Sequence, residues 1–252
     1  MPQRRAVMIC LLSSFALIAG RSLLIAQEHD HAPEMTMSHS DANANVHMEM
    51  SPQLPGNAAD SAKAATIAIN LRTALQQYHD TSAAVKDGYV MFMPQVKEQK
   101  IYHFTNNWRG LQEAFRFDPS KPTSLLYRKA PDGQFTLVGA MYTAPKRFGP
   151  DKLDARVPLS VARWHKHVNW CLPKKGDAER WMERRDGQPL FGPESPIATK
   201  SACDGVNGVF HESVFGWMLH ANVFAGDDPA TIWGDEHAGH DMHAGMKMEA
   251  TP

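Results

Sequence analysis

All six tryptophans of this chain fall between residues 59 and 235, with nearly all the Phe, Leu and Ile that follow residue 26. Ordering a chain costs entropy that only buried apolar surface offsets, so a folded structure has to be made in that stretch. About 175 residues are ample for a single core.

Composition changes on either side. Residues 27–58 are polar, rich in Ala, Asn, Ser, Asp and Met, and residues 236–252 have the same character. Both are expected to be disordered without a ligand. Residues 1–26 read as a secretory signal, with Arg4 and Arg5 as basic n-region, an apolar stretch from Ala6 to Gly20, and cleavage near Ala26. That run falls short of the roughly 20 apolar residues that span a bilayer, and Arg21 interrupts it, so no stable membrane anchor is expected. The Arg4-Arg5 pair also admits the twin-arginine route. Cys10 lies in the apolar stretch without the small residues of a lipoprotein signal. The expected location is the periplasm or the exterior.

Cys171 and Cys203 then remain, and outside the cytoplasm such a pair usually forms a disulfide. The alternative makes one of them a metal thiolate. A net charge of -1 gives no reason to expect nucleic acid or an anionic membrane as partner.

Inside the folded stretch, Ala64, Ile67, Leu71, Leu75 and Tyr78 recur at three and four residues, which predicts one helix over 60–87 ended by Gly88. Strand-like runs follow at 89–93, 101–105, 124–128 and 135–142, the last two joined by Ala130-Pro131-Asp132-Gly133, which is hairpin-turn chemistry. Two more lie at 161–171 and 216–224, and a short helix is expected at 176–185. The fold class is therefore α+β: a long N-terminal helix packed on a mainly antiparallel sheet.

Soft-metal ligands crowd the flanks. The first contains His29, His31, His39 and His47 with Met35, Met37, Met48 and Met50; the second contains His237, His240 and His243 with Met242, Met246 and Met248. A thioether needs no deprotonation and suits Cu(I), while imidazole accepts Cu(I), Cu(II) and zinc alike. Such composition points to copper first and zinc second. The two flanks resemble the Met/His-rich segments of periplasmic copper-resistance proteins.

The folded stretch carries histidines of its own. If 161–171 is a strand, His165, His167 and Asn169 face one way, and Trp164, Val168 and Trp170 the other. A helix there would set His165 and His167 about 200° apart. The run 217–223 places Met218, His220 and Asn222 together, His103 sits in a third strand, and His211-Glu212 is read as loop. Adjacent strands would gather His103, His165, His167 and His220 around one metal, with His211 or Glu212 as a further ligand. His211-Glu212 starts like H-E-x-x-H, but Phe215 stands where the second His would be. Cys203, His211 and Met218 are too far apart for a blue-copper loop. No catalytic residue is assigned.

Tyr78-His79-Asp80, Asp87-Gly88-Tyr89, Tyr102-His103-Phe104 with Asn106, Leu125-Leu126-Tyr127, and Leu137-Val138-Gly139 with Tyr142 resemble a family of uncharacterised exported bacterial proteins. The resemblance implies an exported α+β domain with histidines in strands, and it implies no activity. Taken together, the expectation is an exported metal-binding protein for copper capture, tolerance or trafficking, served by a copper-transport or copper-resistance partner. The alternatives are a Zn- or Cu-dependent metalloenzyme built on His165, His167 and His220, and a non-catalytic ligand-binding or interaction domain with incidental tails.

Overall fold

The computed structural model describes residues 46–94 and 99–234. The expectations for the signal at 1–26, for His29, His31, Met35, Met37 and His39, and for the C-terminal segment with His237, His240, Met242, His243, Met246 and Met248 concern residues outside those described.

The fold is α+β. The chain runs β1 (Met48–Met50), α1 (Ala58–Leu75), α2 (Thr81–Lys86), β2 (Val90–Met91), β3 (Tyr102–Thr105), α3 (Asn107–Glu113), β4 (Ser124–Lys129), β5 (Phe135–Ala144), α4 (Pro150–Asp154) and β6 (His165–Leu172). A two-strand ribbon, β7 (Arg184–Arg185) and β8 (Gln188–Pro189), precedes α5 (Lys200–Gly205), β9 (Val209–Ser213), β10 (Trp217–Ala221) and α6 (Pro229–Trp233). The main sheet has the order β1-β6-β10-β5-β4-β3-β2, with β9 also paired to β6. Every pairing is antiparallel. Among the described residues no helix is long and apolar enough to cross a membrane.

The stripe Ala64, Ile67, Leu71 and Leu75 is buried as its spacing requires, in one cluster with Leu125, Tyr127, Ala140, Tyr142 and Leu219 from the sheet and with Trp164 just before β6. The helix is not continuous to residue 87, however. A 3-10 turn at Gln76–His79 ends α1, and the Asp80 carboxylate then accepts the Ser82 N–H to start α2. A short acidic side chain that captures a nearby backbone N–H favours a new helix start over an uninterrupted interior. Gly88, at φ 83°, closes α2 as predicted.

Tyr78, Asp87, Asn106 and Tyr127 form a hydrogen-bonded hub around this junction. The Tyr78 hydroxyl donates to Asp87, and the Tyr127 hydroxyl donates to the Tyr78 carbonyl. The Asn106 amide donates to the Asp87 carbonyl, while its oxygen accepts the Trp108 and Arg109 N–H groups and caps α3. Asn106→Ala removes the cap and one tertiary bond together. It should cost about 1–2 kcal/mol of stability in denaturant unfolding without moving any metal affinity.

The N-terminal flank is corrected in part. From residue 46 onward it is ordered: Met48–Met50 pair with β6, Ser51 donates to the Trp164 carbonyl, and Leu54 packs against the core. The expectation of disorder over 27–58 came from scarce apolar side chains. A sheet edge supplies backbone partners instead, and pairing to it needs few apolar side chains. Similarly, His211 and Glu212 lie on β9, not in a loop.

Candidate metal centre

Residues directly opposite each other in a sheet share a face. Along β6, His165 is opposite Met50 on one side and Met218 on the other, and His167 is opposite Met48. Met218 is opposite Thr143, and His220 is opposite Met141. Met141 is opposite Ser124, and His103 is opposite Leu126. One face of the sheet therefore carries His103, His165, His167 and His220 together with Met48, Met50, Met141 and Met218. The other face is the apolar core under α1.

The histidine rings touch in sequence. Ring centres lie 5.6 Å apart for His103 and His220, 5.2 Å for His220 and His165, and 5.4 Å for His165 and His167. Strands β5 and β4 separate His220 from His103, so a flat sheet would hold their backbones about 14 Å apart. The sheet must curl around this face for the rings to meet. Glycines permit close backbone approach at both ends of the β5–β10 ladder. A Cβ on Gly139 would lie 2.0 Å from the Ala221 carbonyl oxygen, and one on Gly216 would lie 2.1 Å from that of Ala144. His165 and His220 are buried, whereas His103 and His167 are half-buried.

Four of the six proposed domain ligands thus come together. They form a line of contacts rather than a knot, and among the described residues no group of three or more His, Cys, Asp or Glu side chains is placed to hold a metal ion. His211 is half-buried on β9, opposite Trp170, and makes no ring contact with the four among the described residues; Glu212 is exposed. Neither belongs to the cluster.

The predicted alternation along β6 breaks at one residue. Trp170 was expected opposite His167, yet their ring centres are 4.7 Å apart. Asn169 takes a left-handed backbone, φ 58°, and this reverses which way the next side chain points. Asn tolerates that conformation better than most residues, and here its amide also donates to the Val46 carbonyl. Trp170 in turn meets Phe215, and Phe215 meets Phe92, whose N–H donates to the His103 carbonyl, so the aromatic run leads from His167 back to the other end of the histidine line.

The sequence predicts His47 as a tail ligand in a flexible clip. Its ring is buried, Nε2 lies 2.5 Å from the Ser195 carbonyl oxygen and Nδ1 lies 3.4 Å from that of Val168. It acts as a tie between β1 and the 171–206 region. Met48 and Met50 likewise sit in a strand, not a loose tail. Cys171 and Cys203 form the expected disulfide, so neither is a thiolate ligand.

Glu113 lies outside every motif and periodic run of the sequence. It is 2% exposed at the end of α3, and its Oε2 accepts from the Thr123 hydroxyl and from both the N–H and hydroxyl of Thr143. Oε1 has no hydrogen-bond partner. Burial pushes its carboxyl up to about 7 against the lowering effect of those bonds and of Arg156. Thr143 lies in the same cross-strand row as Met218 and His165, so Glu113 stands at the end of the candidate face. One carboxylate in a segment without predicted periodicity gave no signal; its partners are 10 and 30 residues away.

No protein-family model, curated protein or solved structure matches this chain.

Proposed function

We propose that this is an exported, periplasmic metal-binding protein that captures copper through its Met/His-rich flanks and holds it more firmly on the histidine face of the domain, with a copper-transport or copper-resistance protein as its exchange partner. The observation that carries the reading is the unbroken contact of His103, His220, His165 and His167 on one face of a curled sheet. Histidines on a core face are most often single hydrogen-bonded residues. Four in a row, facing thioethers, make a donor set of one chemical kind. The disulfide supports export, because such bridges persist outside the reducing cytoplasm. The kinship with exported bacterial proteins read from the Tyr78 to Tyr142 motifs belongs to the same proposal.

The test is metal retention. Full-length protein loaded with copper and dialysed against metal-free buffer should keep tightly held metal that His167→Ala and His165→Ala each reduce. Circular dichroism should report that both variants are folded. If both folded variants retain as much copper as the parent, the domain site is wrong.

A further inference from the structure

The methionines on the histidine face make up half of its metal-ligating side chains, and they are placed by register, not by composition. Met218 is directly opposite His165, Met141 is directly opposite His220, and both methionines are buried. They cluster with Leu126 and the partly buried Ile101, where leucine would fill the same space. On the exposed side of the same face, Met50 and Met48 of β1 are opposite His165 and His167 and are half-buried.

Charged side chains stand outside the rows of imidazoles and thioethers, with Glu113 beyond Thr143 at the end of one row. Glu49 and Lys166 pair with each other at 2.8 Å, and Lys166 stands over the Trp217 ring on the core face. Glu113 spends one oxygen on threonines, and Glu212 is exposed on β9. What faces inward is imidazole and thioether, neither of which is an anion. A donor set without an anion stabilises a soft monovalent ion better than a hard divalent one.

Two imidazoles bound to one ion at about 2 Å, at a tetrahedral angle, have ring centres about 5 Å apart. His165 and His220 stand at 5.2 Å. We infer that His165 and His220, completed by Met141 and Met218, form a site selective for Cu(I), and that Met48 and Met50 are its entrance. The strand that bears the entrance is the last part of the N-terminal flank and follows its Met/His-rich stretch directly in sequence. This inference rests on the histidine face being a metal site.

The experiment uses full-length protein in which the histidines and methionines of 29–39 and 237–248 are changed to Ser. Cu(I) is titrated anaerobically against the chromogenic chelator bicinchoninate, and Cu(II) separately without reductant. Leucine conserves methionine's volume, so the fold should persist. Met141→Leu with Met218→Leu should weaken Cu(I) binding by at least about tenfold, the scale on which even outer-sphere partners of a metal act, and leave Cu(II) nearly unchanged. Met48→Leu with Met50→Leu should slow Cu(I) uptake more than it changes affinity. Unchanged Cu(I) affinity in the Met141/Met218 variant overturns the thioether site. If His165→Ala then still loses both ions, the histidine reading stands; if it loses neither, both readings fall.

Discussion

Changing Cys171 and Cys203 together to Ser should lower the unfolding free energy by about 3–4 kcal/mol, the chain-entropy value for the loop this bridge closes. The two cysteines are 32 residues apart in sequence, with Cα atoms 5.4 Å apart. What lies between them has little else to hold it. Its apolar cluster is small, with Phe191, Ile197 and Val206 around the sulfurs and Leu190 and Phe210 at its margin. Gly208 sits so close that a Cβ there would lie 2.5 Å from the Cys171 sulfur, so the bridge is tightly enclosed. The effect should be local in structure as well as large in energy. His47 reaches the Ser195 carbonyl from β1, and β9 pairs with β6 up to Val168. Loss of the bridge should therefore speed amide hydrogen exchange in β9 and β1 while leaving α1, β4 and β5 protected. Chemical denaturation gives the energy and hydrogen exchange gives the place. A loss below about 1 kcal/mol would mean that the enclosed cluster, not the covalent bond, holds this region.

The parts of the molecule that were legible in its sequence are those with a period. The stripe of α1 and the alternation through His165, His167 and His220 follow from 3.6 and 2, and both are present. Failures occur where one residue breaks a period for a local reason. Asp80 restarts the helix, and Asn169 flips Trp170 toward the histidines. Strands β1 and β9 went unread because edge and bridging strands are held by backbone bonds to β6, which leave little mark on side-chain pattern. The methionines show a subtler gap. Met48 and Met50 stand out in a polar flank and the alternation of 217–223 sets Met218 beside His220, whereas Met141 lies in an apolar run where a methionine reads as core. Only register puts all four on one face. The motif residues Tyr78, Asp87, Asn106 and Tyr127 were conspicuous for a structural reason: they hold the helix junction to the sheet.

Between pH 4.5 and 7 the protein should lose about 3 kcal/mol of stability that Glu113→Gln does not lose. The sign follows from where the proton sits. The Glu113 carboxyl is pushed up from its ordinary 4.5 to about 7, first by burial, with the Thr123 and Thr143 bonds and Arg156 opposing. Below pH 4.5 it is protonated in folded and unfolded chains alike, and its contribution is fully present. As pH rises toward 7 the unfolded chain releases the proton while the native chain keeps it, so each step upward favours unfolding. Above about 7 the native state must bury a carboxylate whose Oε1 has no partner, and the loss is complete. Arg156 is the nearby cation, but it spends its guanidinium donors on the Glu113 and Thr143 backbone carbonyls and relieves the carboxylate in part. Every other group is common to parent and variant and cancels in the difference. Denaturant unfolding of parent and variant at pH 5 and pH 8 isolates the effect. A difference between them that stays flat within about 0.5 kcal/mol would mean that water or rearrangement solvates Glu113 in the native state. The expected slope, in contrast, ties the end of the candidate metal face to a group that changes charge near neutrality: Glu113 holds Thr143, and Thr143 shares its cross-strand row with Met218 and His165.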